Sequence, residues 1–120
     1  MKEIYRGKRT EDEKWVEGWF LGAECTTSII DDNHDIWPVI PETLGQFTSL
    51  LDKNGKKIFE GDIVKYKSYV FDGRGPIDTI EKIKQVSYVR YSFEPLNDAI
   101  DGSVEVIGNI HDNPELLGEK

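Results

Sequence analysis

Residues 50–66, LLDKNGKKIFEGDIVKY, constrain the fold more than any other stretch of this chain. Asn54-Gly55 stands between two apolar runs, and both residues accept the positive φ that a tight hairpin turn demands. Glu60-Gly61-Asp62 then turns the chain again, into the β-branched pair Ile63 and Val64. A hairpin followed at once by a second corner is the plan of a small barrel. A two-residue turn and a type I turn with a glycine bulge fit the hairpin equally well. A phosphate-binding loop reads differently, because it needs a Gly-Lys-Ser/Thr step opening a helix. No such step occurs anywhere in the chain, and a β-rich run follows these glycines. Their work is turning the chain, with Ile58, Ile63 and Val106 expected in one core.

The flanking segments extend the β pattern. Lys2 to Lys8 reads as a strand, followed by TEDEKWVEGWFL, where two signals compete. Thr10 and Glu13 form a capping box, and three acids stand where a helix N-terminus favours them. Yet Gly18 weakens a helix interior, and Trp15, Trp19 and Leu21 alternate as a strand requires. Both readings stay open on residues alone. Residues 26–37 read as a strand, a polar turn and a re-entry, after which Pro38 and Pro41 exclude regular structure. Strands follow near Phe47 to Leu51, Lys57 to Phe59 and Asp62 to Phe71. The glycines and proline of 72–78 mark a loop. Across 79–93, Val86 and Tyr88 share one face while Val89, Tyr91 and Phe93 share the other, a phase change that predicts a bulge or bend. After a loop over 95–102, Ser103 to Ile110 is the last strand. Asn113 as N-cap, Pro114 at N1 and Glu115 then predict a short helical turn.

A chain of 120 residues fits one domain or one domain with a small appended layer, and thirteen aromatics are available to fill a core. One cysteine, Cys25, excludes an internal disulfide, which suits a reducing compartment. MKEIYRGKR lacks the apolar core of a secretory signal, and no run is long enough to span a membrane. Cytoplasmic residence is the expectation. The net charge is −8, and the excess is uneven: residues 1–40 carry five basic and nine acidic side chains, 41–82 seven of each, and 83–120 three and seven. Direct nucleic-acid binding is disfavoured, since the phosphate backbone selects clustered Lys and Arg.

Three motifs in order, YRGKR…WVEGW, VIPETLGQFTSLLDKNGKKIFEGDIVKY and EVIGNIHDNPELL, resemble the YopX family, small proteins encoded by phages and prophages of low-GC Gram-positive bacteria. The resemblance covers both ends and the middle; segments 22–36 and 72–102 match no known motif. It implies an all-β protein, with a smaller N-terminal β layer over 1–41 and an SH3-like barrel over 42–120. It also favours the strand at Trp15 to Leu21. No catalytic residues come with it.

In DDNHD, Asp31, Asn33 and Asp35 fall at positions one, three and five of a calcium loop, with Glu42 at twelve. The glycine required at six is Ile36, and two prolines break the path, so no metal is expected. His34 and His111 lack the further ligands of a zinc site, and His111 is read as a turn residue. Cys25 would need His34 brought close to act as a nucleophile. No cofactor is implied. Gly73-Arg74-Gly75 places a lone arginine on a loop, and Tyr66, Tyr69, Tyr88 and Tyr91 are either core or a gripping surface.

The chain therefore reads as a non-enzymatic, phage-derived β module that binds a protein, with self-association left open. Arg74, Tyr88, Glu94, Asp98, Asp101 and Glu105 are the candidate contact residues. Two other classes compete: an acidic decoy that occupies a nucleic-acid-binding host protein, and a small enzyme with a carboxylate or Cys25 site.

Overall fold

The computed structural model describes residues 4–23, 26–89 and 92–118. It is all-β, with two short 3-10 turns, and the chain divides between Phe47 and Thr48 into two compact units. Cys25 and Tyr91 lie outside the described residues.

The first unit is an antiparallel sheet of β1 (Tyr5–Lys8), β2 (Trp15–Ala23), β3 (Thr26–Ile30) and β4 (Ile36–Pro38), ordered β4-β3-β2-β1. The opening residues of β5 (Gly45–Leu51) pair with β1. Trp15 to Leu21 is thus strand, and the acids of the capping box serve a turn instead. Asp12 takes both Arg9 and the Lys14 N–H, while Glu13 adopts φ 60°. The bond from Arg9 holds the Asp12 carboxyl down at about 2, with the Lys14 N–H adding to it. Gly18 has a different reason from helix breaking. A Cβ there would overlap the Ile30 carbonyl oxygen and lie 3.0 Å from Ile29 Cγ2. Among the described residues Ile29 and Val39 are the buried apolar side chains of this unit, and Arg9 lies over the Trp37 ring at 4.1 Å.

One expectation changes here. Pro38 does not end regular structure before it: it closes β4 opposite Ser28, at a sheet edge where a missing N–H is tolerated. The DDNHD turn is organised by Asp31 itself. Its Oδ1 accepts the N–H groups of Asn33 and Asp35, its Oδ2 accepts Trp37 Nε1–H at 2.8 Å, and His34 turns the chain at φ 69°. The indole bond leads in lowering the Asp31 pKa.

The second unit begins within β5. Asp52 N–H bonds the Lys56 carbonyl and Gly55 N–H bonds that of Asp52, with Gly55 at φ 83°. The opening hairpin is therefore the three-residue loop with a glycine bulge. β6 (Lys57–Phe59) neighbours β5, and a second sheet has the order β11-β7-β8, from β7 (Asp62–Phe71), β8 (Pro76–Gln85) and β11 (Glu105–Asn109). The predicted loop of 72–78 is shorter, because β8 starts at Pro76. The phase change falls at Val86, fully buried and bonded through its backbone to Gly61 and Asp62, before the hairpin of β9 (Ser87–Val89) and β10 (Ser92–Glu94). Among the described residues these strands form no closed barrel; β8 is left as a sheet edge.

Ile58, Val64, Tyr66 and Val86 form the core, with Phe93, Leu96, Ala99, Val104 and Val106 against it. Ile58 and Val106 thus share one cluster. Ile63 is equally buried but belongs to the other face of β7, since neighbours in a strand alternate. The C-terminal turn at Pro114–Leu117 is present, though Asn113 does not cap it; its side chain accepts the Asn109 N–H at 3.3 Å instead. His111 is a turn residue, its N–H bonding Asn109 Oδ1.

Asp52 closes this unit. It is 6% exposed, and its Oδ1 accepts the N–H groups of Asn54 and Lys56 while Oδ2 accepts that of Val106 at 2.9 Å. Burial opposes the charge, but the three N–H donors together outweigh it and leave the pKa below its ordinary value. A depressed pKa contributes stability at pH above the unfolded value, near 3.9, and loses it as pH falls through the folded one. Asp52→Asn is expected to lower stability by about 1–3 kcal/mol at pH 7. Thermal melts should show that gap narrowing below about pH 4. In the first unit, Gly18→Ala should cost about 1–3 kcal/mol or more by overpacking, read as a lower melting temperature.

Candidate functional site

A concave feature of the second unit lies between the end of β5 and the loop of residues 95–104. Its floor is Ile58, Leu96 and Val104, and its rim includes Leu50, Leu51 and Asp101. The loop is held by backbone bonds: Ile100 N–H to Lys67 O, Ser103 N–H to Ile100 O, and Lys53 N–H to Val104 O at 2.8 Å. Ser103 Oγ adds bonds to Ile100 O and from Lys67 N–H. A loop so tied presents a preformed surface.

The rim has its own local cause. Ser49 sits at φ 72°, a region that non-glycine residues seldom occupy, and Leu50 N–H bonds Thr48 Oγ1. The distortion breaks the strand's alternation, and both Leu50 and Leu51 end up exposed, at 50% and 58%. The groove holds about 170 Å3. That is less than the roughly 300–1,000 Å3 of small-molecule sites, and suits one or two protein side chains.

The residues singled out in the sequence are not gathered into one site. Asp101 lines the groove; Asp98 lies within its loop and Glu105 just after it, each near a lysine, with Lys82 at 3.5 Å and Lys53 at 3.6 Å. Glu94 ends β10. Tyr88, half exposed, packs its ring 4.9 Å from that of Phe93. Arg74 stands apart at the tip of the β7–β8 hairpin, its N–H bonded to Asp72 Oδ1. Tyr66 is core: its ring is buried, burial raises the phenol pKa with Asp98 adding to it, and Tyr69 stays exposed. Leu50 and Leu51 were not singled out. Their adjacency was the signal, since two successive strand residues cannot face one core.

Among the described residues no three His, Cys, Asp or Glu side chains converge to hold a metal ion. No helix there is long and apolar enough to cross a membrane.

Two β units, the second with a tied loop and an open apolar rim, define an all-β protein whose most evident feature is a surface. The chain belongs to the YopX protein family, which it matches over residues 4–118. It is also similar to a solved structure, protein EF1440 from Enterococcus faecalis, at 25% identity and a TM-score of 0.61, over 98% of this chain and 99% of that one. No curated protein matches it.

The ion pairs of Asp98 and Glu105 are exposed and each contributes under about 1 kcal/mol. Asp98→Asn and Glu105→Gln are therefore expected to shift the thermal midpoint by no more than a few degrees, which would leave both available as probes of binding.

Proposed function

We propose that the chain is a non-enzymatic accessory protein, phage-derived and cytoplasmic in its bacterial host, that binds another protein at the groove beside β5. One observation carries this reading: a strained Ser49 holds two adjacent leucines exposed at the rim of a preformed apolar groove. Exposed apolar side chains clustered at a concavity mark interaction sites, whereas single ones do not. Strain at a non-glycine residue persists where the surroundings over-determine it, and it concentrates at functional positions.

The partner supplies an apolar side chain to the groove, and Asp101 favours a basic neighbour beside it. The decoy reading draws less support, because Asp98 and Glu105 are each partly neutralised by a lysine of the same chain. The enzyme reading finds no cavity of substrate size at the groove.

The test is affinity capture from host lysate with the wild type and with Leu50→Ser/Leu51→Ser, at 0.1 M and 1 M salt. The two exposed leucines contribute little to folding, so the variant should melt near the wild type. Apolar docking predicts a captured protein that survives 1 M salt, where the Debye length is about 3 Å, and that the double variant loses. Capture that salt abolishes and the variant retains would overturn this reading in favour of the decoy.

A further inference from the structure

We propose that β8 pairs with β8 of a second copy of this chain, antiparallel, about a two-fold axis through Ile80. β8 is the outermost strand of the β11-β7-β8 sheet, ten residues long and exposed along nearly all of its length. A long uncovered edge is a template for a further strand. Two-fold pairing is self-complementary, and it sets residues of one face against residues of the same face.

The stretch Asp78-Thr79-Ile80-Glu81-Lys82 is complementary in charge to its own reversal at its two ends. Centred on Ile80, that residue meets its counterpart, Asp78 meets Lys82 and Thr79 meets Glu81; Ile77, left unpaired by the bulge between Asp78 and Pro76, ends the regular stretch. The neighbouring registers fail this test. Centring on Glu81 opposes two glutamates, on Lys82 two lysines, and on Thr79 it sets Asp78 against Ile80. Directly opposite like charges destabilise a strand pair, and opposite charges and apolar pairs stabilise it. Lysines on an edge ordinarily deter pairing; in this register Lys82 meets an acid. Its contact with Asp98, at 3.5 Å and exposed, is too weak to hold it back. Ile80, which the pairing would cover, is now 49% exposed.

This surface is separate from the groove of the proposed function, and the test keeps them apart. Sedimentation equilibrium of the full chain, from about 1 to 200 μM, is expected to show a monomer–dimer equilibrium. Asp78→Lys alone and Lys82→Asp alone should each raise the dissociation constant about tenfold or more, since each creates two like-charged pairs. The exchange of both, Asp78→Lys/Lys82→Asp, should bring it back to within about threefold of the wild type. Ile80→Lys places two lysines on the axis and should leave monomer alone. Melts of each variant check that it folds; should one fail to fold, the remaining variants carry the test. A wild type monomeric throughout overturns the proposal, as does a dimer unmoved by the single changes or not restored by the exchange.

Discussion

The second unit depends on one carboxylate. Asp52 takes three backbone N–H groups, two from the turn that follows it and one from Val106, which is 54 residues away in sequence. The first two make the local hairpin; the third ties that hairpin to the last strand. Charge-assisted bonds of this kind are roughly twice as strong as neutral ones, which offsets the cost of burying the ion. The neighbouring bond from Lys53 N–H to Val104 O follows from the same closure. The groove exists because these two bonds bring the end of β5 against the 95–104 loop.

What the sequence makes legible is what depends on local chemistry. Asn54-Gly55 specifies a turn wherever it occurs between apolar runs, and Ile58 then falls in the core by alternation. Trp15 to Leu21 was ambiguous for a physical reason. Acids after a threonine stabilise a helix start, yet the same acids can bind Arg9 and the Lys14 N–H in a tight turn, and only the pairing of β2 with β1 and β3 decides. Gly18 tolerates close approach of the Ile30 carbonyl, which no local pattern announces. Asn113 shows the converse: a good capping residue whose side chain is taken by the Asn109 N–H.

The candidate site was less legible than the fold. Charged and aromatic residues were natural choices for contact, but the structure scatters them: Arg74 at a hairpin tip, Tyr88 against Phe93, Asp98 and Glu105 beside lysines. Leu50 and Leu51 pass for core in any composition-based reading. Their exposure comes from the backbone at Ser49, whose positive φ no residue type there requires. A serine in that conformation is a cost imposed by its surroundings, and sequence patterns register preferences rather than impositions.

β7 shows how the core and the edge are linked. Its first residues are buried, but burial ends after Ser68, while pairing with β8 continues to Phe71 and Pro76. Beyond that point the two strands form a ribbon with solvent on both faces, and an isolated two-stranded ribbon is marginal in water. The ribbon is anchored only through its buried half, at Ile63, Val64 and Tyr66. A third strand beside β8 would add a ladder where packing has run out, and the proposed pairing of two copies would supply it there. The same hairpin thus has a half stabilised by the core and a half held by its own ladder beyond the core's reach.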